Sequence, residues 1–198
     1  MLSAVAIVLA YLMGSISFSI LIAKKVAKID IRKHGSGNAG ATNTLRVLGK
    51  GPGILVLLLD AIKGVVAILI TKYVFHGGDW VVALSGLAAV VGHNWPIFFG
   101  FRGGKGVATT IGVLLTLAPI PALISVGVTI VVIAITRYVS VGSLVFMALI
   151  PVLVYFREAP MAYVFSTLVI GILGFIRHWE NIKRLFSGQE RKMGQSKK

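Results

Sequence analysis

Long apolar runs separated by short polar stretches occupy most of this chain. A helix that crosses the hydrocarbon core of a bilayer needs about 20 mainly apolar residues, whereas helices and strands of soluble domains are apolar on one face only. Seven runs of the first kind occur, at residues 2–23, 53–75, 80–98, 107–119, 120–137, 139–156 and 160–176. The pattern predicts an all-α integral membrane protein, a compact bundle of about seven transmembrane helices.

The composition agrees with this pattern and limits the chemistry. The 198 residues are 57% hydrophobic and only 13% charged, which is too apolar for an ordinary soluble domain. We therefore expect a single polytopic membrane domain over residues 1–198. The chain has no cysteine, so disulfides, thiolate nucleophiles and thiol metal ligands are excluded.

Basic residues concentrate in a few connecting segments. The net charge of +14 includes 20 Lys and Arg, of which 17 fall in segments that seven crossings place on one side: residues 24–52, 99–106, the turn near Arg137 and residues 177–198. This bias is the positive-inside pattern, which argues against nucleic-acid binding. It predicts a multi-pass membrane protein with an outside N-terminus and a cytoplasmic C-terminus, and the family resemblance given below implies that the membrane is the bacterial plasma (inner) membrane. Because basic residues follow the first run, that run is predicted as a retained span and not a signal peptide.

The seven-helix prediction is weakest at residues 107–137. The sequence APIP at 118–121 must form a tight outside turn, because a single crossing here would move the basic C-terminal segment outside. The second run also contains Asp60 and Lys63, which share one helix face. Ionisable groups at membrane depth face a bundle interior or a polar cavity. A structural pair is the favoured interpretation, and direct substrate contact is the alternative.

The first of three polar stretches combines glycines with small polar side chains. Its sequence, DIRKHGSGNAGATNTLR at residues 30–46, has three glycines within six residues, so the backbone can approach a ligand closely. Arg46 adds a fork of donors that matches phosphate. Hydroxyl and amide groups come from Ser36, Asn38, Thr42, Asn43 and Thr44. The alternative is a flexible connector, but a connector would not need this many small polar residues.

The second stretch, GHNWPIFFGFRGGKGVAT at residues 92–109, places a glycine loop at the start of a helix. Pro96 should end the third span by disfavouring helix at Trp95. The GGKG sequence at 103–106 directly precedes the fourth span, where free N–H groups and Lys105 would form a phosphate site. The spacing of this loop is not that of a Walker A motif.

The third stretch, RHWENIKRL at residues 177–185, ends the last span. His178 and Asn181 are three residues apart and so share a helix face, although an interfacial histidine without a function is the alternative. Six scattered acidic residues and no His-x-x-His pair exclude a metal site. The His-x4-Asp motif of acyl-CoA-dependent glycerolipid acyltransferases is also absent.

Together, the three stretches resemble the signature motifs of the bacterial acyl-phosphate-dependent glycerol-3-phosphate acyltransferases, the PlsY family. The matching segments are GSGNAGATNTLR at 35–46, GHNWPIF at 92–98 with GGKGVAT at 103–109, and RHxxNIxR at 177–184 followed by GxE at 188–190. Asp60, Lys63 and Gly64 also match. The resemblance covers nearly the whole chain in order and spacing.

The resemblance implies an enzyme that transfers a fatty acyl group from acyl phosphate to the 1-hydroxyl of glycerol 3-phosphate, giving lysophosphatidic acid and phosphate for phospholipid biosynthesis. The site would lie at the cytoplasmic membrane face. No metal, cofactor, covalent intermediate or protein partner is expected, because acyl phosphate is already activated. Partners are the two substrates and membrane lipid.

Residue by residue, the family motifs imply a set of catalytic and binding groups. Arg46 and Lys105 would hold phosphates, Ser36 and Asn38 would position the acceptor, and Glu190 would be structural. His178 and Asn181 would orient the acceptor hydroxyl. The predicted catalytic residues are Ser36, Arg46, Lys105, His178 and Asn181. The predicted substrate-binding residues are Gly35, Gly37, Asn38, Thr42, Asn43, Gly103, Gly104, Gly106 and Thr109.

Two alternatives stay open at this point. A seven-span bundle with intramembrane charges could be an anion or lipid transporter, although an odd span count and polar chemistry at one face disfavour alternating access. The base for the acceptor hydroxyl could be His178 or the acceptor's own phosphate. Phosphate is favoured, because neighbouring Arg177 and Arg184 disfavour a protonated histidine. A Ser-His covalent relay is disfavoured for lack of an acidic orienting residue.

Overall fold

The computed structural model describes residues 1–194 and contains only helices and connecting turns in that range. The chain divides into two compact units, Met1–Leu117 and a second unit from Ala118 onward. The helices of the first unit are α1 (Leu2–Gly14), α2 (Phe18–Ala27), α3 (Ala41–Leu48), α4 (Lys50–Leu69), α5 (Asp79–Asn94) and α6 (Val107–Leu117). Those of the second are α7 (Pro119–Thr136), α8 (Val139–Phe156), α9 (Met161–Arg177) and α10 (Trp179–Phe186).

The first apolar run is a broken helix. α1 ends at Gly14 and α2 begins at Phe18, so the three residues between them leave backbone groups that the helices do not pair. Ser15 and Ser17 in this break are buried. The Lys63 ammonium on α4 donates to the Ile16 carbonyl at 2.7 Å. At membrane depth no water is available to donate to a carbonyl that is left unpaired by the helix, so the carbonyl needs a donor from the protein.

Glycines allow the helices of the first unit to cross closely. A Cβ on Gly64 of α4 would lie 2.5 Å from the Thr109 carbonyl of α6, and one on Gly14 of α1 would meet the backbone of Ala89 on α5. Small residues at crossings are the usual means of tight packing in membranes, where apolar burial alone gives little preference. This packing fixes the ends of α5 and α6, between which the second polar stretch lies.

In the second unit, α8 packs between α7 and α9. Gly171 and Gly174 of α9 lie against Met147 of α8. α9 ends at Arg177, and α10 leaves it at an angle of 54°. His178 occupies the bend as the C-cap of α9 and the N-cap of α10. The last apolar run therefore does not continue as one straight helix into the third polar stretch.

The length and hydrophobicity of the helices bear on the prediction of seven membrane crossings. Within the described residues, five helical segments are long and apolar enough to cross a membrane, and a sixth is added if the bent pair α9 and α10 counts as one span. The predicted span at 107–119 is the 11-residue helix α6, about 16 Å long at 1.5 Å per residue against a hydrocarbon core of about 30 Å. A seventh crossing and the sidedness of the termini stay predictions, and residues 195–198 of the C-terminal tail lie outside the described range.

Candidate active site

The first polar stretch folds into a loop, residues 35–40, that leads into α3. Gly35 and Gly37 have φ values of +63° and +75°, a region that side chains other than glycine rarely occupy. Asn43 in the first turn of α3 closes the loop from inside. Its Oδ1 accepts from the Ser36 N–H at 2.8 Å, and its Nδ2 donates to the carbonyls of Ile31 and His34 at 3.2 and 3.0 Å.

These bonds give Asn43 a role in shaping the loop, and its predicted contact with substrate stays a prediction. Both of its amide hydrogens are used within the protein and the residue is 1% exposed. In this arrangement Asn43 has no donor left for a phosphate, so it shapes the loop. The other predicted residues of this loop are accessible: Gly35, Ser36 and Gly37 are exposed, and Asn38, Thr42 and Arg46 are half-buried.

An ion pair attaches the beginning of the first stretch to the second stretch. The Arg32 guanidinium donates through Nε and Nη2 to the Asp30 carboxylate at 2.9–3.2 Å, and through Nη1 to the Phe99 carbonyl at 2.7 Å. The hydrogen bonds from Arg32 lower the pKa of Asp30 to about 2. Neither Asp30 nor Arg32 was assigned a role from the sequence.

The second stretch forms the glycine loop, residues 103–106, between the end of α5 and the start of α6. Backbone N–H groups of Gly103 and Gly104 donate to the carbonyls of Asn94 and His93 at 3.3 and 3.1 Å. Gly106 has φ +83° and its carbonyl accepts the Thr110 N–H at 2.8 Å. A helix has no internal partner for the N–H groups of its first turn, and in α6 this turn directly follows the glycine loop.

Lys105 and Thr109 occupy different environments in this region. Lys105 is half-buried in the loop, next to these helix N–H groups. Thr109 is 0% exposed, and its hydroxyl has no hydrogen-bond partner among the described residues. The Thr109 side chain is thus enclosed within the protein, and its part in substrate binding stays a prediction.

The two loops touch at Gly104. A Cβ on this residue would lie 2.6 Å from the Ala39 carbonyl of the first loop, and it would also overlap the imidazole of His93. No side chain fits there without displacing one of its neighbours. The structure therefore brings the first loop and the glycine loop into contact at Gly104, within the first unit.

A buried cluster of ionisable groups lies behind the glycine loop. The Lys63 ammonium is 2.8 Å from Asp60 Oδ1 and 3.0 Å from His93 Nδ1, in addition to its bond to Ile16. Asp60, Lys63 and His93 are 1%, 5% and 6% exposed. Asp60 and Lys63 therefore form a buried ion pair, and its lysine also supplies a donor at the break between α1 and α2.

In the second unit, the ring of His178 has a defined orientation. Its Nδ1 lies 2.7 Å from the Gly174 carbonyl, and the residue is 2% exposed. Because a carbonyl can only accept, Nδ1 must carry the proton, and Nε2 of the neutral ring is then the acceptor. This tautomer suits a group that receives a hydrogen bond from a hydroxyl.

Asn181 is held by an acidic residue from beyond α10. Its Nδ2 donates to Glu190 Oε1 at 2.6 Å, and Arg184 Nε donates to Glu190 Oε2 at 2.8 Å. Burial by itself would raise the pKa of Glu190, but the hydrogen bonds from Arg184 and Asn181 outweigh it and lower that pKa. Glu190 acts as a clamp on the third stretch, in line with the structural role that the motif implied.

Two residues that support the glycine loop were not predicted from the sequence. His93 and Asn94 were named only as part of the GHNWPIF segment at the end of the third span, yet their carbonyls accept the hydrogen bonds from Gly104 and Gly103. Asn94 is fully buried, and its side-chain amide lies beside Gly106. A polar pair placed immediately before a glycine loop was the available signal.

Comparison with known proteins decides the family. The model of the glycerol-3-phosphate acyltransferase family matches residues 4–188. The chain belongs to this family. A glycerol-3-phosphate acyltransferase of Halalkalibacterium halodurans is 55% identical over 94% of this chain and 93% of its own length. One of Moorella thermoacetica, glycerol-3-phosphate acyltransferase 2, is 46% identical over 96% and 97%.

Solved structures support the same assignment. The crystal structure of PlsY (YgiH), an integral membrane glycerol 3-phosphate acyltransferase in its glycerol 3-phosphate form, has a TM-score of 0.92 and 43% identity, covering 97% of this chain and 96% of that one. Its lysophosphatidic acid form has a TM-score of 0.90 and 42% identity, covering 97% and 95%. The predicted PlsY-family membership and the all-α, multi-pass membrane fold are confirmed.

Proposed function

We propose that this chain transfers a fatty acyl group from acyl phosphate to the 1-hydroxyl of glycerol 3-phosphate, releasing lysophosphatidic acid and phosphate. Family membership supports acylation of glycerol 3-phosphate. The observation that carries the phosphate chemistry is the contact of two glycine-rich loops at Gly104, with Lys105 and the start of α6 beside it. Backbone N–H groups and a cation at a helix start favour phosphate over neutral ligands.

An apolar groove in the second unit supports a fatty acyl substrate. Its volume is about 420 Å³ and its surface is almost entirely apolar. Residues of α8, α9 and α10 form it: Val141, Leu144, Val145, Phe175, Ile182, Leu185 and Phe186. α10 also carries Asn181, so an acyl chain in this groove would end near the third stretch.

The reaction needs few groups from the protein. The acceptor oxygen attacks the acyl carbonyl carbon, the carbon–oxygen bond to the phosphate breaks, and inorganic phosphate leaves with the bonding electrons. Arg46 and Lys105 would hold phosphate groups and stabilise the charge that develops in the transition state. His178 and Asn181 would place the acceptor hydroxyl, and Ser36 with Asn38 would position the rest of glycerol 3-phosphate.

The proton of the hydroxyl would pass to the acceptor's own phosphate. The second pKa of a phosphate monoester is about 6, close to working pH, which suits a general base. His178 Nε2 can accept a hydrogen bond, but its Nδ1 partner is the neutral Gly174 carbonyl. A carbonyl stabilises an imidazolium less than a carboxylate does, so a positioning role for His178 is favoured.

Purified protein in detergent tests this function. With acyl phosphate and glycerol 3-phosphate we expect lysophosphatidic acid and stoichiometric phosphate, with no loss of rate on chelation of divalent metals. Matched reactions with acyl-CoA as donor should give no product. Because detergent removes any membrane barrier, a transporter would give no product in either reaction, and that result would overturn the proposal.

We further propose that the N-terminus is outside and the site faces the cytoplasm of the bacterial inner membrane. Seventeen basic residues on one predicted side support this orientation. Single cysteines at the exposed positions Ser3, Lys50 and Ser187 can be probed on intact cells with an impermeant thiol reagent. Labelling is expected at Ser3 alone, with permeabilised cells as the control. Labelling at Ser187 but not at Ser3 would contradict the orientation.

A further inference from the structure

We propose that Asp60, Lys63 and His93 are positioning residues that set the shape of the glycine loop and thereby the affinity for glycerol 3-phosphate. This inference rests on the proposed function, in which the loop binds phosphate. None of the three side chains belongs to the predicted catalytic or binding set. They are linked to one another inside the first unit, and one of them, His93, contacts the loop directly.

The Lys63 ammonium fixes the state of His93. An ammonium has hydrogens to donate and no lone pair, and Lys63 Nζ lies 3.0 Å from His93 Nδ1, with the Ile16 carbonyl as a second acceptor at 2.7 Å and Asp60 Oδ1 as its ion-pair partner at 2.8 Å. His93 Nδ1 must therefore accept. The neutral imidazole then carries its proton on Nε2, on the side that faces Gly104.

His93 contacts the glycine loop through two parts of the residue. Its carbonyl accepts the Gly104 N–H at 3.1 Å, and its ring fills the space that a Cβ on Gly104 would occupy. The Ala39 carbonyl of the first loop lies against the same side of Gly104, 2.6 Å from that Cβ position. The His93 ring and the Ala39 carbonyl therefore both pack against Gly104 where the two loops meet, and rotation or loss of the ring would remove one of the groups that hold this contact.

Helix packing alone does not require charged groups here. Replacing a buried ion pair with apolar residues of similar size is often neutral or stabilising, and ionisable groups at membrane depth are usually functional. The break between α1 and α2 needs one donor for the Ile16 carbonyl. The additional bond from Lys63 to His93 instead extends the network to the loop, which is what a positioning role requires.

Two variants test the two ring nitrogens of His93 separately. His93→Asn retains an acceptor near Nδ1 for Lys63 but withdraws from Gly104, whereas His93→Gln retains a donor near Nε2. We expect His93→Asn to raise the KM for glycerol 3-phosphate roughly tenfold, the size of one hydrogen bond involving a charged group, with kcat little changed. His93→Gln should rescue most of this increase. Thr71→Val, a buried change in the turn of π-helix Ile70–Val74 that follows α4, is the control and should alter thermal stability without altering KM.

A double variant gives a second measurement. Gly104→Ala introduces a Cβ against the His93 ring, and His93→Asn makes room for it, so the two increases in KM should not multiply. Asp60→Asn with Lys63→Met removes both buried charges together and should reproduce the KM increase of His93→Asn even if that variant folds poorly. Unchanged KM in stable variants, or fully multiplicative effects, would overturn the inference. An inactive wild-type enzyme in the same assay would instead reject the proposed function.

Discussion

The polar stretches of the first unit and the polar stretch of the second unit are constructed differently. In the first unit the loops consist largely of glycine and backbone groups, with Gly104 enclosed between His93 and Ala39. In the second unit side chains dominate, because His178 is oriented by Gly174 and Asn181 by Glu190. A backbone site suits recognition of phosphate, which is common to both proposed substrates. A side-chain site suits orientation of one reacting hydroxyl.

The comparison predicts that His178 variants lose turnover most severely. His178→Ala should lower kcat by about a thousandfold, within the range for a positioned proton-handling group, because it removes the acceptor for the hydroxyl. If the histidine only positions the hydroxyl, His178→Gln should retain measurable activity with the rising limb of the pH–rate profile intact. A vanished limb near neutrality in folded His178→Gln would make His178 the base.

Lys105→Ala should come next in size. It deletes a charge beside the helix start, and we expect kcat/KM to fall on the order of a hundredfold, as for loss of one transition-state donor. Steady-state kinetics with both substrates measures the loss, and Lys105→Arg, which retains the charge, serves as the matched variant. Equal kinetics for wild type and Lys105→Ala would show that the glycine loop is not part of the site.

Gly104→Ala should act mainly on substrate binding. Every charged group remains, but the new Cβ separates the two loops, so we expect KM to rise about tenfold, the scale of one lost charged hydrogen bond, with a smaller change in kcat. Gly51→Ala is the control, because a Cβ at Gly51 meets nothing within 4 Å. If both alanine variants changed KM alike, close backbone approach would not be the reason.

The smallest effect is expected at the ion pair that precedes the first loop. Asp30→Asn should cost about 0.5 kcal/mol of unfolding free energy at pH 7, as for a partly exposed pair. Because the pKa of Asp30 in the folded protein is lowered from 3.8 to about 2, the contribution is complete above the ordinary value and is lost as pH falls toward the lowered one. Denaturation curves of wild type and variant should therefore converge in acid, and a difference that persisted at pH 2 would contradict this assignment.

The sequence by itself determined the architecture and the location of the candidate site along the chain. Apolar runs of bilayer length define helices because lipid offers no hydrogen-bond partners to any other single-chain segment. Pro96 correctly marked the end of α5, which stops at Asn94. The glycine and Lys105 motif was evident because local sequence determines how closely a backbone can approach a ligand.

The tertiary structure decided what the polar side chains do. Asn43 closes the first loop, a role that the sequence did not predict, since its partners Ile31 and His34 are brought to it only by the fold. His93 was interpreted as a helix end, and its contact with Lys63, 30 residues away in the chain, depends on the packing of α5 against α4. Hydrogen bonds between residues distant in sequence are fixed by helix packing, and no local pattern encodes them.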